Sequence, residues 1–123
     1  MKIRTHKDLE VYQLAFNAAM KIFEISKRFP KEETYSLTDQ IRRSSRSVCS
    51  NQAEAFRKRR YPKSFIAKLS DSESEAAETQ SWLDSGFSCK YITENEHNEL
   101  FETYENNIGK LVNMSLKPEN WSW

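Results

Sequence analysis

The sequence predicts an all-α protein folded as an antiparallel up-down-up-down four-helix bundle. Two observations carry that prediction. Only two glycines and three prolines interrupt the 123 residues, too few breakers for a fold of strands and tight turns. Four long segments, joined by short polar links, also repeat their apolar residues at helical spacing. With 37% apolar and 12% aromatic residues, the chain can build a core as a single domain over residues 1–123.

The first helix is expected from about Lys7 to Arg28, stopping ahead of Pro30. It carries two apolar stripes, roughly 130° apart at 100° per residue. Val11, Leu14, Ala15, Ala18, Ile22 and Ile25 form one, and Leu9, Tyr12, Phe16, Ala19, Met20 and Phe23 the other. An outer helix of a small monomer needs one stripe. The second must therefore be covered, by the C-terminal tail or, as we favour, by another copy of the chain.

The polar loop 30–35, PKEETY, leads into helix two, whose expected cap is Ser36 with Asp39 at N3. Leu37, Ile41, Ser44, Ser45, Val48, Asn51, Gln52, Ala55 and Phe56 share one face of it. Serines are mediocre helix formers, but small side chains let neighbouring helices approach. Asn51 and Gln52 on that face need buried partners. Helix two is expected to end near Lys58, in the basic turn RKRRY.

Pro62 suits the first position of helix three, expected to run to about Tyr91 with Phe65, Leu69, Ser72, Ala76, Thr79, Gln80, Leu83 and Phe87 inward. Thr93 and Glu96 form a capping box for helix four, which is read as burying Leu100, Phe101, Tyr104, Ile108, Leu111 and Val112. Residues 116–123, with Trp121 and Trp123, lack a helical pattern and are expected as a non-helical tail.

No stretch approaches the ~20 apolar residues of a membrane span, and MKIRTHKDLE lacks a signal-peptide core. A cytoplasmic protein without membrane contact is expected. If helices two and three turn near Arg60, facing positions sum to about 120. Cys49 then stands near Asp71, roughly 27 Å from the level of Cys89, beyond disulfide reach. His6 and His97 have no Cys or His at ligand spacing, so no metal and no cofactor are expected. Glu54, Glu75 and Glu78 lack the Glu-x-x-His pairing of metal-binding bundles. No catalytic residue is expected, and His97 is read as a packing or capping group.

The stretches DLEVYQLA, FPKEETYSL, DQIRRSSRSVCSNQAEA and KLSDSESEAAETQSWLD resemble the bacterial four-helix-bundle family, also called the 23S rRNA-intervening-sequence protein family. The likeness spans nearly the whole chain. Many members carry glycine where Ala55 stands, so helix two is expected to continue unbroken into the basic turn. Such proteins are similar in fold to the accessory protein of diversity-generating retroelements. The resemblance implies a homo-oligomeric ring, most simply a pentamer, with nucleic acid and protein partners.

Net charge is +1, but its distribution is uneven. Residues 40–68 hold many cations against Glu54 alone, and residues 69–105 many acids against Lys90 alone. This suggests pairing between helices, a basic binding patch, or both. Arg42, Arg43 and Arg46 face the Glu73–Glu78 region by the hairpin rule. Arg43, Asn51, Glu54 and Glu75 are read as structural polar residues. Tyr12, Phe16, Cys49 and Ala53 are read as an oligomer interface.

Arg57, Lys58, Arg59, Arg60 and Lys63, interleaved with Tyr61 and Phe65, read as a nucleic-acid-binding turn, with Arg42 and Arg46 as further contacts. Two functions stay open. One is an oligomer that binds RNA or DNA backbone, accessory to an rRNA intervening sequence or mobile element. The other is a protein-interaction scaffold using helix one or the tail tryptophans.

Overall fold

The computed structural model describes residues 3–122; Trp123 lies outside them. Four helices, α1 (Glu10–Ser26), α2 (Leu37–Arg57), α3 (Pro62–Ser88) and α4 (Glu94–Leu116), pack as a bundle, and there is no strand among the described residues. α1 and α3 each pack against both α2 and α4, so the helices stand in cyclic order around the core. None of them is long and apolar enough to cross a membrane.

The start of the chain departs from expectation. A 3-10 turn, His6–Asp8, is closed by a capping box between Thr5 and Asp8, and extended Leu9 separates it from α1. Asp8 accepts the N–H groups of Arg4 and Thr5, so the chain is already committed before the helix begins. At the other end α1 stops at Ser26, two residues ahead of the expected limit.

The cap of α2 also differs. Ser36 makes no capping bond to the helix. Its hydroxyl donates to Glu33 Oε1, which also accepts the Leu37 N–H at 3.3 Å. Tyr91 donates to Glu33 Oε2 at 2.9 Å, tying the α1–α2 loop to the α3–α4 link. These hydrogen bonds, that from Ser36 foremost, hold the Glu33 carboxyl below the usual range, and Tyr91 is pushed up to about 12.

α3 ends at Ser88 rather than Tyr91. Lys90 adopts φ 65° while its N–H donates to Phe87 and that of Tyr91 to Gly86, a Schellman closure made without glycine at its left-handed position. The inward face from Phe65 to Leu83 is buried as expected, but in the last turn Gly86 is buried and Phe87 exposed. A Cβ on Gly86 would stand 3.8 Å from Ile92 and Phe29. In α4 the capping box of Thr93 and Glu96 forms as expected. Asn107 and Met114 are buried, whereas Phe101 and Ile108 are half-buried and Val112 is exposed.

The interior of α2 follows the serine-rich face, with Ser44, Ser45, Val48 and Gln52 buried. Thr79 donates to Ser44 Oγ at 2.8 Å and Ser72 to the Val48 carbonyl at 2.8 Å. Gln52 Nε2 donates to Ser72 Oγ at 3.1 Å and to Asn107 Oδ1 at 2.9 Å. Asn51 instead bonds within its own helix, to the carbonyl and hydroxyl of Ser47. α2 continues through buried Ala55 to Arg57, as the absence of glycine there suggested.

The tail is not wholly irregular: Leu116 ends α4 and Pro118–Asn120 form a 3-10 turn. Trp121 packs on the lower core of Leu9, Val11, Phe56, Phe65, Leu69 and Met114.

Candidate functional site

Two surfaces hold the candidate residues. The first lies along α1 and α2. Val11, Ala15, Ala18 and Ile22 bury one stripe of α1, while on the other Phe16 is 44% and Met20 39% exposed. The tail does not cover them, because Trp121 docks elsewhere. Tyr12, half-buried, sits between the His6 ring at 4.6 Å and the Phe16 ring at 6.0 Å. Tyr12, Phe16, Ala19, Met20, Arg46, Cys49 and Ala53 line one open groove, so the structure brings the four expected interface residues together.

Cys49 is its floor rather than its rim. The thiol is buried against α1, with a bond to the Ser45 carbonyl, and burial pushes it up to about 11. It therefore faces α1.

Arg42, Arg43 and Arg46 of α2 turn towards α1 or along their own helix. Arg42 donates to Ser26 Oγ at 2.8 Å and lies 4.9 Å over the Phe23 ring; Arg46 lies 5.9 Å from the same ring. Arg43 reaches Asp39 of its own helix at 4.0 Å, largely in solvent. None of the three forms an ion pair with Glu73, Glu75 or Glu78. Of the other structural polar candidates, Glu54 pairs with Lys68 at 3.4 Å, and the Glu75 carbonyl accepts the Thr79 hydroxyl.

The second surface is the α2–α3 turn. Arg57, Lys58, Arg60 and Lys63 are exposed, and the Arg60 guanidinium lies 5.0 Å over exposed Tyr61. α3 starts at Pro62 with no side-chain cap and no acid in its first turn, so its dipole adds to the positive field. Phe65, interleaved with the cations in sequence, is buried on the inward face expected of α3.

Arg59 is different. It donates to the Phe56 carbonyl at 2.8 Å and lies 3.8 Å over the Phe56 ring, closing the end of α2 beside Trp121. Burial and the nearby Arg57 charge pull its guanidinium below the usual value. Sequence reasoning missed that the tail and the N-terminal turn reach this same end, bringing Lys117 and Lys110 beside Leu9 and Trp121. Lys110 is held by Glu10 at 2.6 Å.

His97 lies between the rings of Phe87, at 5.2 Å, and Phe101, at 5.5 Å, with Nε2 2.7 Å from Asp84. Burial opposes its charged form, but the hydrogen bonds to Asp84 and Asn98 and the Asp84 charge outweigh it and raise the ring above its ordinary value. It is a packing residue in a second-helix contact, as expected.

Taken together, these elements define an all-helical bundle protein with a hydrogen-bonded interior, an uncovered apolar groove and a basic end. The chain belongs to the 23S rRNA-intervening sequence protein family, whose model matches residues 7–113. It is similar to a crystal structure of a protein with unknown function from the S23 ribosomal protein family of Bacteroides thetaiotaomicron. The two are 25% identical with a TM-score of 0.77, over 85% of this chain and 94% of that one. Among curated proteins, none matches.

Proposed function

We propose that the protein is a non-enzymatic, cytoplasmic homo-oligomer of antiparallel bundles that binds the backbone of RNA or DNA through its basic end. It would serve as an accessory to an rRNA intervening sequence or mobile element. The observation that carries the binding reading is the cluster of Arg57, Lys58, Arg60 and Lys63 around exposed Tyr61, on a turn whose following helix begins without an acid. Such a surface attracts phosphate without reading base edges.

The pairing of Ser44 with Thr79 and of Gln52 with Ser72 supports the antiparallel order. The uncovered Phe16–Met20 stripe supports self-association, and the number five rests on the family likeness. Copies of the basic turn on one ring would reinforce one another through multivalency. The same stripe also favours a second reading, a protein-interaction scaffold without nucleic-acid binding; Trp121, spent on its own core, does not contribute to it.

Titration of the protein with fluorescent RNA and DNA oligomers across a salt series tests the proposal. Affinity that falls steeply with salt supports it; no salt-sensitive binding at low ionic strength replaces it with the scaffold reading.

A further inference from the structure

We propose that the uncovered α1–α2 face of one copy is received by the opposite face of the next, the α3–α4 seam, so that the assembly is built from two unlike surfaces. The inference rests on the self-association reading above and names the partner surface.

The cyclic order of the helices sets these two seams on opposite sides of the bundle. The large apolar side chains exposed along the helices divide between them. Phe16 and Met20 lie on the first, and Ile66, Phe87 and Val112 on the second. The remaining exposed ones, Tyr35, Tyr61 and Leu116, lie in links or at a helix end.

The second face is located by two contacts that stitch α3 to α4, Gln80 Nε2 to the Phe101 carbonyl and Asp84 to His97. Stepping back from these by helical turns, Ala77, Glu73 and Ile66 follow along the same edge of α3. On α4 the edge continues from His97 and Phe101 through Glu105 and Ile108 to Val112.

Charge matches across the two. The first face carries Arg42 and Arg46, neither of them in an ion pair with a described carboxylate. The second carries Glu73 and Glu105, neither in an ion pair with a described cation. Glu73 is half-buried, and burial alone raises its carboxyl.

Height matches as well. The Lys21–Glu99 and Glu10–Lys110 bridges set Phe16 level with Tyr104. The Ser44–Thr79 and Gln52–Ser72 bonds set Arg46 level with Ala77, which Gln80 and Phe101 place beside Tyr104. Copies standing side by side thus bring Arg46 to Glu105, and Phe16 between Ala77 and Ile108, without a vertical shift. Unlike faces give a head-to-tail contact, which closes into a ring or runs on.

The test uses two variants of the full chain, Phe16→Glu and Val112→Lys, and light scattering with the unmodified protein as reference. Both sites are exposed, and circular dichroism checks that helicity is kept; Met20→Glu and Ile66→Lys replace either variant that fails to fold. Each variant alone should run at monomer mass. Their equimolar mixture should reach twice that mass and stop, because each pair has one intact contact. A Val112→Lys protein that keeps the unmodified mass overturns the proposal while leaving self-association standing, as does a mixture that stays monomeric. An unmodified protein of monomer mass overturns both.

Discussion

Asn107 of α4 donates through Nδ2 to the carbonyl of Val11 in α1, at 2.8 Å, while its Oδ1 accepts from Gln52 of α2. One amide thus joins three helices at the fully buried level of the core. Replacing Asn107 by Leu keeps the approximate volume but removes both bonds and strands part of the Gln52 amide. Stability in urea should fall by about 1–3 kcal/mol. The exposed neighbour change Asn113→Leu should leave the midpoint nearly where it was.

Tyr104 calls for the opposite outcome. Its hydroxyl is buried and has no partner among the described residues, and burial pushes the phenol well above its ordinary value. Tyr104→Phe removes an unsatisfied polar group at little loss of volume. It should raise unfolding stability by about 1 kcal/mol; a loss of that size would show that the hydroxyl has a partner.

The His97–Asp84 contact makes stability depend on pH. The ring is raised above its ordinary 6.5 in the folded protein. Its contribution is therefore complete below about pH 6.5 and fades as pH rises through the folded value. Asp84 is 60% exposed, so the effect should stay below about 1 kcal/mol. Comparing urea midpoints at pH 5.5 and 8.5 for the unmodified protein and Asp84→Asn checks this: the substitution should flatten the difference.

Phe16→Glu and Tyr12→Glu should both dissociate the proposed oligomer, since each would bring an unpaired charge into its buried contact. The two differ in side effects. Phe16 is exposed in the single copy, whereas Tyr12 is wedged against His6, so only Tyr12→Glu should also lower thermal stability. Sedimentation alongside thermal unfolding separates the two effects.

At the basic turn, Lys58→Ala, Arg60→Ala and Lys63→Ala together should weaken the proposed nucleic-acid binding for all sequences alike and flatten its salt dependence. Stability should scarcely change. Arg59→Ala should instead destabilise the fold, by about 1 kcal/mol, because its bond to the Phe56 carbonyl closes a helix. Should the triple change leave binding intact, Arg42 and Arg46 become the next residues to replace.

These contrasts trace what could be read from the chain alone. The facing rule puts Ser44 and Gln52 within about a turn of the partners they meet on α3, Thr79 and Ser72, because a short turn leaves two long helices little freedom of register. Asn107 is not legible as a core residue although its spacing from Tyr104 and Leu111 turns it inward, because a polar side chain ordinarily marks the surface. Cys49, read as an interface residue, lies on the floor of the groove because α1 packs closely on α2. Arg59 and Lys58 have the same charge and nearly the same neighbours in sequence. Only the packing of Phe56 and Trp121 distinguishes the cation that closes the core from one that faces solvent.

Cys49, raised to about 11 and buried, contrasts with the exposed thiol of Cys89. A maleimide near neutral pH should therefore label the chain at one place without any engineered cysteine. That place is at the far end of α3 from the basic turn, about 40 Å away at 1.5 Å per residue. A dye there stands clear of the basic turn while still reporting the tumbling of whatever assembly the chain joins.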